Sequence, residues 1–156
     1  MRQAGLAGIV GAAAAAALFA LTPKFEGTEL TTYRDLGGVL TYCTGATEDA
    51  QWGKTYTPEQ CRAQLDRDLE RHAAGVARCI PMDRLTDGQK VAFVDAAYNI
   101  GVGAFCGSSM ARRTNAGDMV GACDALLMWN KVGGKVVRGL TLRRQAEREI
   151  CLRGLP

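Results

Sequence analysis

F-E-G-T-E-L-T-T-Y-R-D-L-G-G-V-L-T-Y-C-T-G, from Phe25 to Gly45, is the stretch whose reading decides the fold. Around Gly37-Gly38 it alternates β-formers, and a Gly pair tolerates the positive φ of a tight turn, so the pattern predicts a small β-hairpin after a short helical or turn segment at Phe25–Leu30. Glu26 then precedes the hairpin, while Asp35 and Thr41 flank its turn and are brought together by it. Eight residues separate Glu26 from Asp35 and five separate Asp35 from Thr41. Glycoside hydrolysis needs one protonated carboxyl to assist the leaving group and one ionised carboxyl to direct water or attack the sugar. A hydroxyl beside the second carboxyl can hold that water. The same spacing also suits a helix-end acid, a turn-initiating Asp and an ordinary strand Thr.

Downstream, helix-start signals recur. T-P-E-Q at Thr57–Gln60 and T-D-G-Q at Thr86–Gln89 read as capping boxes, the first with Pro at the first helical position. They predict helices over Pro58–Arg78 and Asp87–Ile100, the second stopped by Gly101. Shorter helices are predicted over Ser109–Asn115 and Asp118–Trp129, then a loop G-G-K-V-V-R-G, then a last helix over Thr141–Leu152. Arg143, Arg144, Glu147, Arg148 and Glu149 are expected on its mostly solvated faces. The fold class is therefore α+β, a small hairpin sheet with a mostly helical lobe, in a chain of 156 residues able to form one core.

Upstream, Gln3–Pro23 carries no charged side chain, and nine of its residues are Ala and three Gly. As one apolar helix it would cover about 30 Å, the thickness of a bilayer core, but Ala and Gly give it little transfer free energy. It is expected to enter a membrane only marginally, with Met1 and Arg2 on the cytoplasmic side and the remainder across it. The organisation expected is an anchor at 1–23 and a globular domain at 24–156. A cleaved secretory signal is the alternative, because A-x-A triplets occur inside the Ala run.

Six cysteines, Cys43, Cys61, Cys79, Cys106, Cys123 and Cys151, fit an oxidising compartment outside the cytoplasm. They contain no C-x-x-C pair, which favours disulfides over zinc, and six allow about 15 complete pairings. His72, the one histidine, reads as a surface residue, and no metal or other cofactor is implied. A net charge of +3, spread along the chain, gives no argument for nucleic-acid binding and suits an anionic partner.

F-E-G-x-x-x-x-x-Y-x-D-x-x-G-x-x-T resembles the catalytic segment of the phage-type lysozymes. The resemblance continues through G-K-T-Y-T-P-E-Q-C, Y-N-I-G-V-G-A-F and W-N-K-V-G-G-K-V-V-R-G-L-T-L-R-R-Q-A-E-R-E, covers Lys24–Gly154, and is closest to signal-arrest-release endolysins. It implies a monomeric muramidase that cleaves the β-1,4 bond between N-acetylmuramic acid and N-acetylglucosamine in peptidoglycan. Glu26 would be the general acid, Asp35 would bind or activate the attacking water, and Thr41 would position it. Inversion is implied too, with carboxyls about 6.5–9.5 Å apart. It further implies a weak anchor in the inner membrane that releases the enzyme to the periplasm. This chain departs from the family in three ways. Cys43-Thr44-Gly45-Ala46 stands where a histidine often follows the hairpin, so the hairpin must be held otherwise. Cys79 and Cys106 are additional to the family's cysteines, which points to a bridge between them. The anchor has no cysteine, so thiol exchange cannot release it. A non-catalytic, membrane-anchored wall-binding protein on the same fold is the alternative function.

Overall fold

The structure, a computed structural model, describes residues 5–156. Helices α1 (Leu6–Val10) and α2 (Ala12–Glu26) lead into strands β1 (Glu29–Arg34) and β2 (Leu40–Cys43). Helices α3 (Pro58–Ala77), α4 (Asp87–Ile100), α5 (Val102–Cys106), α6 (Ser109–Asn115) and α7 (Met119–Ala125) follow. Strands β3 (Lys131–Val132) and β4 (Lys135–Val136) then precede α8 (Arg138–Arg153). This is the α+β class expected, with two separate two-stranded sheets beside a helical body.

Both capping boxes form. The Thr57 and Thr86 hydroxyls each accept from the backbone N–H three residues on, at 3.1 Å, and Gln60 and Gln89 accept in return from the cap N–H groups. Asp118 caps α7 through Gly121 N–H, but the helix expected to reach Trp129 tightens into a 3-10 turn at Leu126–Met128. The G-G-K-V-V-R-G segment, expected as loop, is a two-residue hairpin whose strands flank Gly133-Gly134, and α8 begins earlier than predicted. The first hairpin forms as read, with Tyr33 opposite Thr41 and Arg34 opposite Leu40.

The amino-terminal segment departs from the single apolar helix expected. Gly11 adopts a φ of +90°, a conformation that costs other L-residues strain, and divides the segment into α1 and α2. Among the described residues no helix is long and apolar enough to cross a membrane. The two pieces instead join the core: Leu6, Val10, Ala14, Ala15, Leu18 and Thr22 are buried, at a spacing that keeps them on one side. α1 lies on α3 and α2 on α4, and the Lys90 ammonium donates to the Val10 carbonyl at the end of α1, at 3.2 Å. α2 also runs through Pro23 to Glu26 without a break, so segment and body share one core across the expected boundary at 23/24. The reading of Met1 and Arg2 lies outside the described residues.

Three disulfides pin this arrangement: Cys43–Cys61 ties β2 to α3, Cys79–Cys106 ties the end of α3 to α5, and Cys123–Cys151 ties α7 to α8. The bridge between Cys79 and Cys106 is the one the resemblance implied.

Candidate active site

Glu26 is the last residue of α2, and the turn at Gly27 leaves its side chain at the junction of the helical body with the hairpin. A carboxylate at a helix C-terminus faces the negative end of the helix dipole and needs a cation. Arg143, from α8, supplies one: its Nη1 donates to Glu26 Oε1 at 2.5 Å. Asp35 opens the hairpin turn, where its Oδ1 accepts from the N–H groups of Gly37 and Val39, both at 2.9 Å. That pair of hydrogen bonds is the Asx-type geometry that makes Asp a turn residue. Thr41 is buried on β2 and donates its hydroxyl to the Val39 carbonyl at 2.9 Å.

The three residues singled out by the sequence line one cavity of about 430 Å³, together with Tyr33, Gly45, His72, Tyr98 and Asn99. Gly45 is required there. Its φ is +72°, and a Cβ would stand 2.5 Å from Glu26 Oε2. The end of the hairpin therefore packs directly on the Glu26 carboxyl. Among the described residues no cluster of His, Cys, Asp or Glu is arranged to hold a metal ion.

Behind Glu26 lies a buried charge network that corrects the expectation of a solvated last helix. Arg143, Arg144 and Glu147 are all buried, as is Asp95 on α4. Arg143 donates Nε to Asp95 Oδ2 at 3.0 Å and Nη2 to Asp95 Oδ1 at 3.1 Å. Thr22 adds its hydroxyl to Asp95 Oδ1 at 2.7 Å, and Arg144 bonds Asn99. Burial pushes the Asp95 carboxyl up, but the Arg143 charge, the hydrogen bonds and Thr22 outweigh it and hold the group below its ordinary value. Glu147 behaves oppositely. Burial and then the neighbouring Asp95 charge raise its carboxyl well above the ordinary range, although Arg144 and Arg143 approach to 3.4 and 3.5 Å. A signal for this burial exists: Arg143, Arg144 and Glu147 lie eight, seven and four residues before Cys151, which puts them on the face that the disulfide turns inward. Arg148 and Glu149 do lie toward solvent.

A second polar cluster holds the hairpin where the family's histidine is missing. Gln64 Oε1 accepts from Thr44 N–H at 2.8 Å, and its Nε2 donates to the Tyr98 hydroxyl at 2.9 Å and to Asp68 at 2.6 Å. The Tyr98 hydroxyl donates onward to the Thr44 carbonyl, and burial, the largest influence, raises that phenol. With Cys43–Cys61, these bonds fasten the end of β2 to α3 and α4. His72, read as a surface residue, belongs here instead: it lines the cavity, with its ring 5.0 Å from that of Tyr98. Burial lowers its pKa, which favours the neutral imidazole. Its position three residues after the core residue Leu69 was the available sign.

Residues 23–147 match the family described as phage lysozyme, and the chain belongs to that family. A SAR-endolysin of Enterobacteria phage PA-2 is 41% identical over 162 residues, covering 99% of this chain and 96% of the relative. The endolysin of Escherichia coli O157:H7 phage FAHEc1 superposes with a TM-score of 0.78 at 33% identity, covering 88% of this chain and 92% of that one. The active form of the phage P1 endolysin Lyz also gives a TM-score of 0.78, at 25% identity, over 90% of this chain and 85% of its own. The protein is thus an endolysin-type glycoside hydrolase acting on peptidoglycan.

Proposed function

We propose that the protein is an inverting N-acetylmuramidase, cleaving the β-1,4 bond between N-acetylmuramic acid and N-acetylglucosamine. Glu26 protonates the leaving oxygen, Asp35 binds and activates the attacking water, and Thr41 positions it. The observation that carries this reading is the convergence of Glu26, from the helical body, with Asp35 and Thr41, from the hairpin, on one cavity. Glu26→Gln keeps the shape but removes the acidic proton, so hydrolysis of purified wall material falls by at least about a thousandfold with little change in thermal stability. Asp35→Asn also lowers turnover. Near-normal release of reducing sugar by the Glu26 variant refutes the acid assignment, and mass spectrometry of the new reducing ends tests the bond.

We also propose that a monomer is held at the inner membrane, with its amino end cytoplasmic, and acts in the periplasm after release. Support comes from the SAR-endolysin relatives and from the shared core: residues that fill the space beside α3 and α4 cannot also lie in lipid. A tethered chain therefore lacks part of its core, including the helix that ends in Glu26. Exposed Ala13, Ala16 and Ala20 are the positions for a test, because Leu there strengthens the apolar span without entering the core. The triple Leu variant stays in the membrane fraction and lyses cells more slowly. A variant that is membrane-bound yet as active as the soluble chain sinks the restraint.

A further inference from the structure

We propose that Thr22 and Asp95 are positioning residues for Glu26, acting together through the orientation of the Arg143 guanidinium. The inference rests on the reading of Glu26 as the general acid. A guanidinium is planar, and a carboxylate that takes two parallel N–H bonds from one edge fixes that plane. Asp95 does this to the Nε and Nη2 edge of Arg143, leaving Nη1 to hold Glu26. The carboxylate of Asp95 is itself held by a third donor, the Thr22 hydroxyl at 2.7 Å. Four bonded groups thus run Thr22, Asp95, Arg143, Glu26, and the first and last stand four residues apart on α2, on the same side of the helix. The link closes a loop between a helix and the acid at its own end.

Two features mark this as more than packing. Asp95 is 0% exposed on a stretch of α4 otherwise made of Val, Ala and Phe, where a carboxylate is costly to bury and an apolar residue is not. Thr22 is the sole polar side chain between Leu6 and Pro23, and its hydroxyl is spent on that carboxylate. Burial favours the neutral acid at Asp95, yet Arg143 and its bonds keep the group ionised, which is the state that grips the guanidinium.

The test measures kcat and KM of the full-length chain on soluble peptidoglycan strands. Thr22→Val preserves shape and removes the hydroxyl, and it lowers kcat roughly three- to tenfold with KM within about twofold, since loosening the acid affects the transition state more than binding. Thr22→Ser restores kcat to within about twofold of the parent. Asp95→Asn leaves Arg143 facing an amide N–H₂, lowers kcat more than Thr22→Val, and diminishes the further effect of adding Thr22→Val. Should either single variant misfold, the other probes the same link from its opposite end. Wild-type kcat for Thr22→Val or for Asp95→Asn, failure of Ser to rescue, a loss confined to KM, or strictly additive effects would overturn the proposal. If Glu26→Gln is inactive while Thr22→Val is fully active, only the positioning role fails. If Glu26→Gln remains active, the acid assignment itself has failed.

Discussion

The two walls of the cleft are built by opposite means. On the helical side, Glu26 is gripped by a buried arginine that also binds Asp95, and little of this arrangement touches water. On the hairpin side, Asp35 sits in a turn whose Leu36 is 81% exposed, and local backbone N–H bonds supply its order. In the proposed reaction, the proton donor benefits from a fixed field in a dry setting, and the residue that handles water benefits from a wall open to solvent. The hairpin is fastened at its far end, by Cys43–Cys61, Gln64 and Tyr98, and is exposed at its tip.

Breaking the buried wall has the largest expected effect. Arg143→Met leaves Asp95 and Glu26 without their shared cation, so stability falls by about 3–5 kcal/mol in denaturant titration and hydrolysis is lost. A variant as stable as the parent would mean that the carboxyls find other partners. Opening the hairpin's fastening comes next. Cys43→Ser with Cys61→Ser removes the loop constraint and costs about 2–4 kcal/mol, and hydrogen exchange rises more in β1 and β2 than in α8. Equal protection in both regions would contradict the contrast between the walls.

The smallest effect sharpens the comparison by pH. Because burial raises Glu147, the folded chain binds that proton more tightly than the unfolded one, whose carboxyl titrates near 4.5. The stability it contributes is present below that pH and is lost as pH rises toward the folded value. Glu147→Gln removes the titration, so thermal midpoints of the variant decline less than those of the parent from pH 5 upward. Parallel curves would show that Glu147 is ionised in both states.

Helix starts and the first hairpin were readable because their signals are local. A capping Thr, the Gln three residues later and a Gly-Gly turn act through bonds within a few residues. Glu26, Asp35 and Thr41 were singled out through the family pattern, and all three line one cavity. Asp95 was not, since a charged residue is exposed by default and its burial depends on a partner 48 positions away, and for Arg143 the spacing to Cys151 was the one local sign. Pairing of the cysteines was open for the same reason, apart from the bridge the resemblance implied. The amino-terminal segment was ambiguous at a deeper level. Small apolar side chains suit a weak membrane span and a close helix contact alike, and only the break at Gly11 with the fit against α3 and α4 separates the two.

The placement of α1 and α2 also sets an order of events in time. Their contacts bridge long stretches of chain: 73 positions from Thr22 to Asp95, 80 from Val10 to Lys90 and 117 from Glu26 to Arg143. Closing such loops carries more entropy cost than closing the α3 and α4 pair, whose residues are neighbours along the chain. Chain entropy therefore favours docking of α1 and α2 after α3 and α4 have paired, and the Glu26 carboxyl at the end of α2 arrives with them. A lag between refolding of the α3 and α4 pair and the appearance of wall hydrolysis is the expected mark of that order, and simultaneous recovery of both would contradict it.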